Sequence, residues 1–241
     1  MPAHAAHLPA DTRSVLLVLH GGRAESLARQ PRLGLARLRM RAFGAAVRRL
    51  AADPSLTVVE VKYRYRGWNG GHAHPAADAR RALREIASRA PGAKVVLLGH
   101  SMGGRAALAV AGHPQVLGAV LLAPWCQPAD PVEHLRGRRL AVLHDPSDRV
   151  TSAEGSRAFA ARARRAGADV RFVAMPRGGH AMISGAGAWQ RLAARSVTAI
   201  LAGSRCRTSP GRAAVTPPAA EPGSGSGSVS GAGPGPGHSV T

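Results

Sequence analysis

Several things are scarce in this 241-residue chain, and each scarcity excludes something. Cysteine occurs only at Cys126 and Cys206, too few and too far apart for a disulfide framework or a Cys-rich metal site. Aromatic residues make up 3% of the chain, which leaves few platforms on which bases could stack. Acidic residues number 13 against 33 basic ones, a formal charge of +20. That excess invites a nucleic-acid reading, but all the basic residues except Lys62 and Lys94 are arginines. They are spread along nearly the whole chain beside abundant Ala, Gly and Pro, the bias a GC-rich coding sequence produces. No specific nucleic-acid partner is expected. No apolar run approaches the roughly 18 residues of a membrane span, and residues 1–12 lack the basic-then-apolar order of a signal peptide. A soluble, cytoplasmic protein is expected, and the oligomeric state is not readable.

What is present is a regular alternation. Ser14 to Leu19, Leu56 to Val61, Lys94 to Leu98, Val116 to Leu122, Leu140 to Leu143 and Val170 to Ala174 are short apolar runs rich in β-branched residues, the pattern of strands buried on both faces. Between them lie helical spacings. Met40, Phe43, Val47 and Leu50 share one side of Leu35 to Ala52, with Arg37, Arg41 and Arg48 on the other; further helices are expected from Ala76 to Arg89, Arg105 to Ala111, Ser152 to Ala166 and Ala186 to Leu201. Ser152 or Thr151 would cap the fourth, with Glu154 in its first turn. Strands and helices in this order imply parallel crossovers. The expected organisation is a lead over 1–13, one α/β domain over 14–202, and a Gly, Ser and Pro-rich tail over 203–241 that is expected to be disordered.

Chemistry-bearing residues gather where strands end. Gly99-His100-Ser101-Met102-Gly103 has the form G-x-S-x-G between a strand and a helix, the setting of a nucleophile elbow, in which a sharp turn exposes a serine hydroxyl. In a chain with 29 glycines the pattern alone is weak, so its surroundings matter. A serine needs a base, and the base needs an orienting acid. His180 follows the last strand in a Gly-bounded loop and is the expected base. Between Ser101 and His180 stand Asp130, Glu133, Asp145, Asp148, Glu154 and Asp169. Asp148, just past a strand end, is preferred as the acid, with Asp145 the near rival and Asp130 the distant one.

In these motifs the chain resembles a small α/β-hydrolase over Ser14 to Leu201. His20-Gly21-Gly22 resembles that family's oxyanion loop, Gly99 to Gly103 its elbow, His144 to Val150 the segment that delivers the acid, and Gly179-His180-Ala181 the one that delivers the base. The resemblance implies an α/β-hydrolase fold: a mostly parallel sheet of about six strands with helices on both faces. The seventeen residues between Leu122 and Leu140 are too few for a helical cap domain, so the pocket should be open, bordered by loops 23–34 and 68–72, with Trp68, Trp125 and Tyr65 as possible wall residues. The opening antiparallel strands usual in the family are expected to be missing or reduced, and Asp145 stands where many relatives have glycine.

The implied function is a serine hydrolase that cleaves a carboxylic ester, thioester or lactone through Ser101, His180 and Asp148. The backbone N–H groups of Gly22 and Met102 would form the oxyanion hole, and the substrate would be a small-molecule ester. No cofactor and no metal are implied. An acyltransferase with the same nucleophile, or a silent scaffold that binds a ligand or partner, is the alternative. His20 is expected to support the oxyanion loop, and Arg23 to be a solvated surface residue.

Overall fold

Short runs apolar on every residue can lie only in the middle of a sheet covered on both sides, and the helical segments between them supply the cover. The computed structural model describes Ala5 and residues 8–9, 11–31, 34–51, 53 and 55–203; apart from Gly203 the expected tail lies outside them. In chain order the elements are β1 (Ser14–Leu19), α1 (Leu35–Leu50), β2 (Leu56–Glu60), α2 (His74–Arg89), β3 (Lys94–His100), α3 (Met102–Val110), β4 (Val116–Leu122), β5 (Arg139–His144), α4 (Ala153–Arg165), β6 (Asp169–Ala174) and α5 (Ala186–Leu201). The six strands form one sheet in the order β2-β1-β3-β4-β5-β6, and every pairing is parallel.

Two cores flank the sheet. On one face Leu16, Val18, Val96, Leu98, Val120 and Leu122 meet Met40, Phe43 and Val47 of α1 and Trp189, Val197 and Ile200 of α5. On the other, Val15, Leu17, Leu19, Val95, Leu97 and Leu121 pack beneath α2, α3 and α4. The alternation of neighbours along β1 and β3 follows from the two-residue period of a strand. Ala5 and Leu8 of the lead are also buried in this second core, and the Ala5 N–H donates to Glu85 at 3.2 Å.

The crossovers from β1 and β3 leave toward opposite ends of the sheet, so their carboxyl ends border a crevice where an open α/β sheet places its ligands. The connection from β4 to β5 holds one short 3-10 turn, Glu133–Leu135, and no helical cap stands there.

Most boundaries lie within two residues of the periodic reading, and two that differ bear on Ser101. β3 runs on to His100, because pairing with β4 continues to His100 opposite Leu122. α3 begins at Met102 rather than Arg105. Gly103 and Gly104 are poor helix formers, and tertiary packing overrides that preference: a Cβ on Gly103 would strike the carbonyls of Leu19, the last residue of β1, and of His20 just after it. Ser152 caps α4, its hydroxyl accepting the Gly155 N–H at 2.9 Å.

Candidate active site

Ser101 occupies the residue between β3 and α3, with φ 55° and ψ −123°. Such a backbone costs a non-glycine residue about 1–3 kcal/mol and persists only where the surroundings over-determine it. Here the Ser101 N–H donates to the Leu122 carbonyl at 3.1 Å, and the Ser101 carbonyl accepts from Gly104 at 2.9 Å and Trp125 at 3.1 Å. The limbs of the turn meet so closely that a Cβ on Gly99 would lie 2.6 Å from the Gly103 carbonyl oxygen. The glycines two residues either side of the serine are therefore a steric requirement.

The three residues expected to act together are brought together. His180 Nε2 lies 3.0 Å from Ser101 Oγ, and His180 Nδ1 lies 2.9 Å from Asp148 Oδ2. The Asp148 side chain is fully buried. Burial works against its charge, but N–H groups of Val150 and Thr151, the Thr151 hydroxyl and His180 all hydrogen-bond the carboxylate and hold its pKa below the ordinary range. Hydrogen bonds to the charged form outweigh desolvation here.

The rival acids are occupied elsewhere. Asp145 accepts from the Ser147 N–H and hydroxyl on one oxygen and from the Gly179 N–H, at 2.7 Å, on the other. It ties the loop after β5 to the loop that carries His180. Asp130 takes Arg105 Nε at 3.0 Å and a terminal nitrogen at 2.7 Å. The Arg105 guanidinium lies over both Trp68 and Trp125, 4.2 and 4.7 Å from the centroids of these two mutually perpendicular rings. Trp68 follows β2 and Trp125 follows β4, so this arginine joins two loops of the rim. Tyr65 packs edge-on to His74. Arg23 is exposed, its N–H donating to the Arg66 carbonyl at 2.9 Å.

Gly22 and Met102 lie side by side at the ends of β1 and in the first turn of α3. A Cβ on Gly22 would collide with the Met102 side chain and the Arg66 carbonyl. At Met102 the N–H heads a helix, where first-turn donors have no intrahelical acceptor. His20 Nδ1 stands 2.8 Å from the Gly21 carbonyl, and its ring packs edge-on to Tyr63.

Periodicity could not single out three further residues. His100, inside the elbow, places Nε2 at 2.9 Å from the His180 carbonyl, so it steadies the loop of the base. Thr151, weighed in the sequence only as a cap, turns its hydroxyl to Asp148. His144 ends β5 beside Asp148. Their signal was a polar side chain adjoining a motif, which sequence alone does not distinguish from a side chain that only meets water. Cys126 is a poor second nucleophile, since burial pushes its thiol up to about 12. Among the described residues no three His, Cys, Asp or Glu side chains are placed to hold a metal ion. No helix among them is long and apolar enough to cross a membrane.

Buried histidines give the fold a pH dependence. Desolvation lowers His20 to about 4 and His100 to about 3, against about 6.5 in an unfolded chain. Below 6.5 the unfolded chain takes up protons that the folded chain refuses. Stability is therefore full above pH 6.5 and falls as pH drops toward the folded values, by up to about 1.4 kcal/mol per pH unit for each histidine. The melting temperature is expected to fall between pH 6.5 and 5, before the carboxylates contribute, and to fall less steeply in His100→Gln. Equal slopes for the two proteins would exclude His100 as a source.

A family model described as serine aminopeptidase, S33, matches residues 64–143. No curated protein matches the sequence. Among solved structures, an α/β hydrolase enzyme from a Medee basin deep-sea metagenome library is 16% identical with a TM-score of 0.61, the match covering 79% of this chain and 86% of that one. An α/β serine hydrolase without a lid from Xanthomonas campestris is 15% identical, TM-score 0.57, covering 81% and 85%. A thermophilic esterase from Thermogutta terrifontis is 18% identical, TM-score 0.58, covering 86% and 89%. Identities this low speak for architecture alone, and that architecture is the α/β-hydrolase fold: one parallel six-stranded sheet with helices on both faces.

Proposed function

We propose that the protein is a serine hydrolase that cleaves a small carboxylic ester, thioester or lactone. The observation that carries this reading is the unbroken line from Ser101 Oγ through the His180 ring to Asp148, at 3.0 and 2.9 Å. In this mechanism Ser101 attacks the acyl carbon while His180 Nε2 takes the hydroxyl proton. Asp148 keeps the other ring proton on Nδ1 and stabilises the imidazolium. The tetrahedral oxyanion lies against the N–H groups of Gly22 and Met102, each worth about 3 kcal/mol when aimed at the developing charge. His180 then protonates the leaving alcohol, and a water activated by the same ring releases the acyl group from Ser101.

The test is a fluorophosphonate label mapped by mass spectrometry, together with aryl esters of increasing acyl length. Stoichiometric labelling at Ser101 and turnover of the esters are expected, and the length profile reports the space left by Trp68 and Trp125. An unlabelled Ser101 points to a silent scaffold. Products that carry the acyl group on an added alcohol or amine, in preference to water, point to an acyltransferase.

Gly22→Ala is expected to lower kcat by about 10²-fold or more, the scale of one lost oxyanion donor. The new Cβ has no room between Arg66 and Met102, so the loop must move. Unchanged kcat in this variant would remove Gly22 from the oxyanion site.

A further inference from the structure

His144 is fully buried, and nothing in the mechanism above uses it. Its surroundings nevertheless define its protonation. Nε2 stands 3.3 Å from Asp148 Oδ2 and 3.3 Å from the Thr151 carbonyl oxygen. Both are acceptors, so the ring proton belongs on Nε2. Nδ1 is then a lone pair facing the Ser156 hydroxyl, 2.9 Å away, whose other acceptor within reach is the Pro124 carbonyl at 3.3 Å.

The Asp148 carboxylate can be accounted for oxygen by oxygen. Oδ1 receives the Val150 N–H at 2.7 Å and the Thr151 N–H at 3.1 Å. Oδ2 receives the Thr151 hydroxyl at 2.9 Å and His180 at 2.9 Å, and His144 Nε2, bonded to the Thr151 carbonyl, lies 3.3 Å from it. One oxygen thus has two hydrogen-bond donors and a third ring N–H beside it, and only His180 is asked to gain a charge during the reaction.

We propose that His144 is a positioning residue of the site, donating from Nε2 to the same Asp148 oxygen that holds His180 and so setting how strongly that carboxylate retains the His180 imidazolium. This rests on the reading of Ser101 as nucleophile. Each donor on an oxygen withdraws charge from the others, so the His144 N–H keeps Asp148 from binding the His180 proton too tightly. It also blocks rotation of the carboxylate. The groups that face His144 are Asp148, Thr151, Ser156 and, beyond the shared carboxylate, His180; Cys126 lies behind Ser156, 3.9 Å from its hydroxyl. Burial lowers the pKa of His144 itself, keeping it neutral where the enzyme would work.

The experiment compares wild type, His144→Leu and His144→Gln by the pH dependence of Ser101 labelling with a fluorophosphonate, and by NMR of protein labelled with 15N in its histidine rings. In the leucine variant the acid limb of labelling is expected to move to higher pH by a three- to tenfold change in proton affinity, about half a unit to one unit. The His180 ring should titrate with the same displacement. Glutamine, whose amide nitrogen can reach the place of Nε2, is expected to restore most of the wild-type limb. In wild type the spectrum should show His144 protonated on Nε2.

A folded leucine variant that is slower with an unmoved limb would make His144 purely structural and overturn the proposal. So would a wild-type His144 proton on Nδ1, a result that needs no variant to fold. Absence of labelling in wild type at every pH would instead overturn the nucleophile reading. The ring titrations would still decide whether His144 acts on Asp148 and His180.

Discussion

Replacing Ser101 by alanine is expected to lower kcat by about 10⁶-fold, the scale seen when the nucleophile of a serine triad is removed. The loss has a definite source: without Oγ, His180 Nε2 has nothing to deprotonate at 3.0 Å, and no acyl-enzyme forms. What survives is the oxyanion site and binding, which in such enzymes leave some rate above that in water. Alanine needs no new space and is held by the same backbone bonds to Leu122, Gly104 and Trp125, so the melting temperature should stay close to that of wild type. The measurement is initial-rate hydrolysis of a short aryl ester beside a thermal melt. Retention of more than a few per cent of turnover by a folded variant would move the nucleophile elsewhere.

Asp148→Asn is expected to cost about 10⁴-fold in kcat, with KM little changed. Four donors converge on the two carboxylate oxygens of Asp148. An amide offers one oxygen and one NH2, so in either orientation its NH2 meets donors where an acceptor is needed. If the NH2 faces His180, the ring proton moves to Nε2, and the ring can no longer take the serine proton. If it faces Val150 and Thr151, two backbone N–H groups lose their acceptor and the imidazolium loses its counter-charge. Asp145→Asn serves as the comparison, since Asp145 holds the base loop through Gly179 without touching the His180 ring. Near-normal rates in Asp148→Asn with a large loss in Asp145→Asn would transfer the acid role to Asp145.

Much of this was legible before any coordinates. The strand runs are apolar at successive positions, and a sequence of that kind has few places to go except the middle of a covered sheet. The helix from Ala186 to Leu201 has the bounds expected from its spacing, because a long amphipathic stripe leaves little freedom of register. The elbow was harder. Its clearly helical run of small residues begins only at Arg105, and the approach of β1 explains why the helix itself begins with Met102-Gly103-Gly104.

Within the site, chain order supplied Ser101, Asp148 and His180 as a set and preferred Asp148, but left Asp145, three residues away, as a rival. Side-chain direction separates them. Asp145 turns to Gly179 and Asp148 to the His180 ring. His144, Thr151 and His100 were invisible as participants because each acts through a partner distant in the chain or through a side-chain angle.

By itself, the sequence determined the class of architecture, the number and order of the strands, and the motif residues at their ends. Those follow from periodicity and from the backbone conformations that particular residues allow, both local properties of a chain. Only the tertiary structure decided which carboxylate meets the His180 ring, which second histidine lies beside the same oxygen, and where a glycine is indispensable. Each of these is a distance between segments dozens of residues apart, and such distances exist only after the sheet has brought the ends of β1, β3, β5 and β6 to one edge.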